Sequence, residues 1–183
     1  MERHCELCGA RIDDLAQYEG NKAALAKSLR YQSIIDVLVN SPRKYDQVFF
    51  DHQEELPSPY QGIAQRMRSA LQELPGTGRP LQKKWPDITA VKDLGCDIVI
   101  EEERRPTQEK VDTDIRTITR CRYLWALGRQ FELRRPHLFI VLNDNVNNIP
   151  PSVQDNVGHF CRVIVCTVED FPNKYESYYL PGL

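Results

Sequence analysis

Three consecutive carboxylates, Glu101, Glu102 and Glu103, close the apolar run that begins at Asp97-Ile98-Val99-Ile100, and Asp87 opens another apolar run 14 residues before Glu101. An unpaired buried charge is expensive, so carboxylates at the end of a buried strand require a cation or hydrogen bonds to compensate them. Strand alternation puts Glu101 and Glu103 on one side and Glu102 on the other. The turn-like Lys92-Asp93-Leu94-Gly95 between the two runs predicts a β-hairpin that brings Asp87 opposite the Glu101–Glu103 end. Oxygen donors converging from rigid strands make a site for a hard divalent cation that keeps several waters.

The elements that must position these residues follow from periodicity. Leu25, Leu29, Ile34, Ile35 and Leu38 recur at helical spacing, which predicts a helix over 21–39 stopped by Asn40-Ser41-Pro42. A second helix is predicted over 59–74, with Ile63, Met67, Ala70, Leu71 and Leu74 on one face, ended by Pro75-Gly76-Thr77-Gly78. The hairpin strands come next. Pro106 then sits where a first-turn proline belongs, and Val111, Ile115, Ile118, Cys121, Leu124 and Trp125 form the stripe of a helix over 106–128. Pro136 breaks into a buried strand over 137–142, and Asn143 to Pro151 reads as a polar loop. A short helix around 151–158 leads to a last buried strand over 161–167, and the tail from Phe171 is aromatic and punctuated by proline. The fold class is therefore α/β (α+β). Its mixed β-sheet has a hairpin as the antiparallel part, and later crossovers favour parallel neighbours.

Pro86-Asp87, a hairpin, and then Ile98-Val99-Ile100-Glu101-Glu102-Glu103 resembles the signature of the PD-(D/E)XK nuclease superfamily, which includes many type II restriction endonucleases. The family core is helix, three-stranded meander, helix, strand, and residues 59–143 can be laid onto it, roughly half the chain. The resemblance implies a restriction-endonuclease-like core with a catalytic hairpin flanked by helices. It also implies Mg²⁺ held by Asp87 and Glu101, double-stranded DNA as substrate, and a homodimer in which each copy cuts one strand. The sequence departs from the family at the third motif position, where the usual lysine is Glu103. Glu103 then becomes a ligand to a second metal or the general base that orients the attacking water. Lys110, about two helical turns further on, is the candidate for a displaced ammonium. An additional acid is expected from Glu73 on the preceding helix, with Asp97 the weaker candidate.

The stretch from Arg104 to Arg135 carries nine basic against four acidic residues, a local balance of +5 in a chain whose formal net charge is −2. Arg116 and Arg120 lie four apart on the helix after the catalytic strand and are expected to contact phosphates without reading sequence. Base readout needs Asn, Gln or Arg from loops, which makes Asn145 and Asn147 candidates, although an Asn-rich stretch also suits a plain turn.

Cys5-Glu6-Leu7-Cys8-Gly9 has the shape of a zinc knuckle, with His4, or His159 and Cys161, as candidates to complete four ligands. A pair of reduced thiols is the reading favoured over bound zinc, and redox chemistry a weaker one, since residues 1–4 leave no room for the strand that should precede the pair. With Asp51-His52 the knuckle is also similar to zinc-bearing HNH nucleases, whose second cysteine pair and terminal histidine motif are missing. The remaining cysteines read as small core hydrophobes.

Of the 183 residues, 41% are hydrophobic and 27% charged, ordinary globular usage that excludes a disordered or collagen-like chain. The chain reads as one domain over 1–183, with 1–55 an N-terminal helical extension that starts in the candidate knuckle. No apolar run approaches membrane-spanning length, and no apolar signal core follows Met1-Glu2-Arg3-His4, so no membrane and a cytoplasmic location are expected. Neither Gly-x-Gly-x-x-Gly after a strand, nor Gly-Lys-Ser/Thr, nor Gly-x-Ser-x-Gly occurs, which removes the common nucleotide-binding and esterase patterns. The leading expectation is a Mg²⁺-dependent DNA endonuclease of the type II restriction class. The alternative is a catalytically inactive nuclease-like module that binds nucleic acid or protein, for which the replacement at Glu103 is the main support.

Overall fold

The computed structural model describes residues 22–50, 63–66, 71–73, 86–103, 107–126, 129–142 and 162–179. Along the chain these form α1 (Lys22–Val39), β1 (Gln47–Phe50), β2 (Ala64–Arg66), β3 (Leu71–Glu73), β4 (Ile88–Lys92) and β5 (Gly95–Glu103). They are followed by α2 (Gln108–Arg120), β6 (Cys121–Ala126), β7 (Arg129–Leu142), β8 (Arg162–Thr167) and α3 (Phe171–Tyr179). The strands make one mixed eight-stranded sheet in the order β2-β1-β4-β5-β7-β6-β3, with β8 also paired to β7. Pairings β1–β4, β4–β5, β6–β7 and β3–β6 are antiparallel, whereas β1–β2, β5–β7 and β7–β8 are parallel.

β5 lies in the middle of the sheet and is covered on both faces, which is why Cys96 to Ile100 reads as an almost continuous apolar run. One face of the sheet presents Val48, Phe50, Ile88, Ala90, Ile98, Ile100, Ile164 and Cys166 to α1 and α3. α1 meets it with Tyr31, Ile34, Ile35 and Leu38, all at most 1% exposed. Their i, i+3, i+4, i+7 spacing is that of a single helical stripe, and burying each aliphatic side chain is worth about 1.5–3 kcal/mol. The other face presents Phe49, Val91, Cys96 and Val99, packed against Val111 and Ile118 of α2 and Leu124, Ala126 and Phe131 from the strands beside it. Phe49 and Phe131 meet with tilted rings, 5.6 Å between centroids.

The hairpin forms as its sequence predicts. Asp93 and Leu94 both have positive φ (49° and 60°), the conformation of a two-residue turn whose twist matches the flanking strands. Asp46 Oδ2 accepts from the Asp93 amide at 2.6 Å, and the Leu94 carbonyl accepts from the Glu132 amide at 3.2 Å, so the turn is tied to its neighbours on both sides.

Other expectations are corrected. The helix predicted over 59–74 is not formed, because Ala64–Arg66 adds to β1 and Leu71–Glu73 pairs with β6. Pairing with distant strands overrides the local 3.6-residue period there, and Ile63 of the expected apolar face is left 39% exposed. The helix over 106–128 is shorter: α2 ends at Arg120, and Cys121-Arg122-Tyr123-Leu124-Trp125-Ala126 is a strand, as its aromatic content favours. Pro136 lies inside β7 rather than ahead of it. The pairing of β7 with β5 jumps from Cys96↔Leu133 to Ile98↔His137, so the residue without an amide falls in an irregularity of the ladder. β7 also changes its outer partner there, from β6 to β8. The aromatic tail contains α3, with Pro172 in its first turn. α1 and β1 share the core and sheet of the hairpin, while residues 1–21, the loop 143–150 and the helix expected at 151–158 lie outside the described residues.

Candidate active site

The β4–β5 ladder ends with the pair Ile88↔Ile100. One residue further out stand Asp87 and Glu101, on the face covered by α2, since Ile88 and Ile100 belong to the opposite core. Asp87 is 8% exposed and Glu101 5%, so two carboxylates are buried at the mouth of one hairpin. Asp87 Oδ2 accepts a hydrogen bond from the Glu102 amide at 2.7 Å, which fixes one carboxylate oxygen against the backbone of the acidic strand. The Glu101 Oε1 atom is shielded from solvent. Glu103 continues β5 opposite Leu142 of β7. The parallel pair β5–β7 is connected through α2 and β6, which puts the helix that follows Glu103 over this same face.

α2 adds a third buried carboxylate that the sequence reading passed over. Asp114 is 1% exposed and shares a helical face with Val111 and Ile118, both buried in the core under α2. Lys110 Nζ lies 3.4 Å from Asp114 Oδ1. The available signal was an acidic residue interrupting an apolar stripe. Thr89, two residues along β4 from Asp87, is fully buried, and its Oγ1 makes no hydrogen bond among the described residues. Asp87, Thr89 and Glu101 are thus buried on the face of the sheet whose core α2 shares, and Asp114 is buried on the core side of α2.

The donors are all oxygen, and the two hairpin carboxylates come from adjacent strands, a set that fits a hard divalent cation. Among the described residues no group of three or more His, Cys, Asp or Glu side chains stands close enough together to hold a metal. Of the described carboxylates, Asp87 and Glu101 are the two that adjacent strands set across from each other, and a cation held by them would need waters or substrate oxygens for its other positions.

The remaining candidates are distributed more widely. Glu73 is on β3, not on a helix, at the end of the sheet; β7 and β6 separate it from β5. It therefore cannot serve as the additional acid from a preceding helix. Asp97 Oδ2 accepts from the Arg43 guanidinium at 2.9 Å, which ties the start of β5 to the loop before β1 rather than to the carboxylate pair. Arg116 and Arg120 fall in the middle and at the end of α2. Asn145, Asn147, Cys5, Cys8, His4, His159 and Cys161 lie outside the described residues.

Cys96, Cys121 and Cys166 are free and buried. Burial pushes the Cys166 thiol up to about 12, helped by Asp170 and opposed by Lys174. Cys96 is raised for the same leading reason, with Asp97 adding to it and a hydrogen bond to the Ile98 carbonyl opposing. Thiols held neutral in this way are poor nucleophiles and metal ligands.

No family model, no characterised protein and no solved structure matches the chain. No helix among the described residues is long and apolar enough to cross a membrane.

Proposed function

We propose that the chain is a Mg²⁺-dependent nuclease that hydrolyses phosphodiester bonds in double-stranded DNA, of the type II restriction endonuclease kind, acting as a homodimer. One observation carries the reading: two buried carboxylates, Asp87 and Glu101, stand on adjacent strands at the open end of a hairpin. Burying two like charges side by side costs stability, and a divalent cation is the simplest compensation. The strand bearing Glu101 is paired in parallel with β7, which follows it through α2 and β6, and this helix after the acidic strand is the part of the architecture that supports the reading.

Each group then has a task. Asp87, anchored by the Glu102 amide, and Glu101 hold the metal. Bound there, Mg²⁺ supplies Lewis acidity toward the phosphate and a water of lowered pKa. Glu103 takes a proton from the attacking water as general base. Lys110 offsets charge that develops on the phosphate, the work of the lysine that Glu103 replaces. Arg116 and Arg120 contact the phosphate backbone, Asn145 and Asn147 read bases, and Cys5 and Cys8 bind a structural Zn²⁺. A non-catalytic nuclease-like module is the second reading, favoured by the acidic residue at position 103.

The test is cleavage of mixed plasmid and genomic DNA with and without Mg²⁺. Discrete bands that require Mg²⁺ are expected from the parent protein, with Asp87→Ala and Glu101→Ala each losing at least about 10³-fold in rate while still binding DNA. Full activity in either variant removes the assignment.

A further inference from the structure

Asp114 is a buried carboxylate for which the proposed reaction has no use. It stands at the centre of the α2 stripe between Val111 and Ile118, a place where an aliphatic residue would pack without loss. Replacing a buried ion pair by apolar residues is commonly neutral or stabilising, so the pair with Lys110 is not accounted for by stability. Helix electrostatics does not account for it either. Lys110 is the third residue of α2, in the first turn, where a cation is disfavoured by the helix dipole. Lysine four residues before aspartate is also the weaker order for a surface pair. The Lys110 side chain is half-exposed (49%) whereas that of Asp114 is 1% exposed, so the buried carboxylate is the fixed end and the lysine the reaching end.

The surroundings say what that lysine can reach. α2 begins five residues after Glu103, and Lys110 and Asp114 occupy its first two turns. Asp87, Thr89 and Glu101, each at least 92% buried, lie on the sheet face whose core α2 shares, and the Thr89 hydroxyl makes no hydrogen bond among the described residues. A cation here answers the one departure of the hairpin from the nuclease pattern, a carboxylate at position 103.

We propose that Asp114 is a positioning residue that holds the Lys110 ammonium at the carboxylate end of the β4–β5 hairpin, restoring from α2 the positive charge that Glu103 removes from β5. The proposal rests on the nuclease reading given above. Asp114 acts through Lys110 and not on the substrate.

The test is a double-variant cycle on Mg²⁺-dependent DNA cleavage, with kcat and KM separated. Lys110→Ala lowers kcat about 10²-fold. Asp114→Asn lowers kcat about 10-fold with KM unchanged, because the lysine loses its orientation and not its charge. Adding Asp114→Asn to Lys110→Ala then costs nothing further, since the partner it positions is already gone. A readout independent of activity accompanies this: Lys110 is acetylated faster in Asp114→Leu than in the parent, followed by mass spectrometry, while Tm stays equal or rises. Losses that multiply in the double variant, or an unchanged kcat in Asp114→Asn alongside an inactive Asp87→Ala, overturn the positioning role and leave the nuclease reading standing. A parent protein that cleaves no DNA with Mg²⁺ overturns both.

Discussion

On the face of the sheet covered by α1 and α3, three buried hydroxyls, those of Ser41, Tyr45 and Tyr175, are linked by hydrogen bonds. Tyr175 on α3 bonds to Ser41 and, at 3.0 Å, to Tyr45, which joins α3 to the segment between α1 and β1. On the face covered by α2 the buried polar side chains among the described residues are Thr89 and three carboxylates, Asp87, Glu101 and Asp114. Neutral hydroxyls in a closed network can be buried at little cost and fix one packing arrangement. Carboxylates cannot, and need a cation or a strong donor. One sequence has thus built a face that holds the fold together and a face that spends stability on a charged layer, with the same strands β4 and β5 serving both.

That contrast can be broken on the apolar side first. Leu38, fully buried on the sheet-facing side of α1, is expected to cost about 2–5 kcal/mol when changed to Ala, read from urea unfolding. The remaining folded protein keeps its cleavage chemistry, because no carboxylate has moved. A smaller effect sharpens the comparison. Tyr175→Phe leaves the Ser41 and Tyr45 hydroxyls buried without their shared partner, and should cost about 1–3 kcal/mol. A loss below 0.5 kcal/mol, on the order of a surface change, would mean the hydroxyl chain does not hold α3 in place.

How far these two faces could be read from sequence differs for a physical reason. The hairpin was legible because its information is local: alternation on both strands, a turn at 92–95, and carboxylates whose spacing sets them across from each other. α1 was legible from the helical spacing of Leu25, Leu29, Ile34, Ile35 and Leu38, of which Ile34, Ile35 and Leu38 are buried, joined by Tyr31 that the spacing did not include. β2 and β3 were not, since three-residue strands at the sheet margins are made by partners far along the chain. β6 was read as more helix because Leu124 and Trp125 continue the spacing of Val111, Ile115, Ile118 and Cys121 across the point where the backbone changes form. Pro172 was the overlooked sign of α3, a proline placed where a helix begins. Within the site, Asp87 and Glu101 followed from alternation alone, whereas Glu73 was tied to a helix that does not exist. Asp114 escaped notice because a single charge on an apolar stripe looks like ordinary tolerance until its burial is known.

The most direct measurement is a calorimetric titration of Mg²⁺ into the parent protein and into Glu101→Gln, with urea unfolding of both in parallel. Removing one buried carboxylate charge should abolish the heat of cation binding and leave unfolding free energy unchanged or higher without metal. Equal Mg²⁺ binding by the two proteins, or a Glu101→Gln chain that loses several kcal/mol of stability, would contradict the claim that the hairpin carboxylates exist to hold a metal ion.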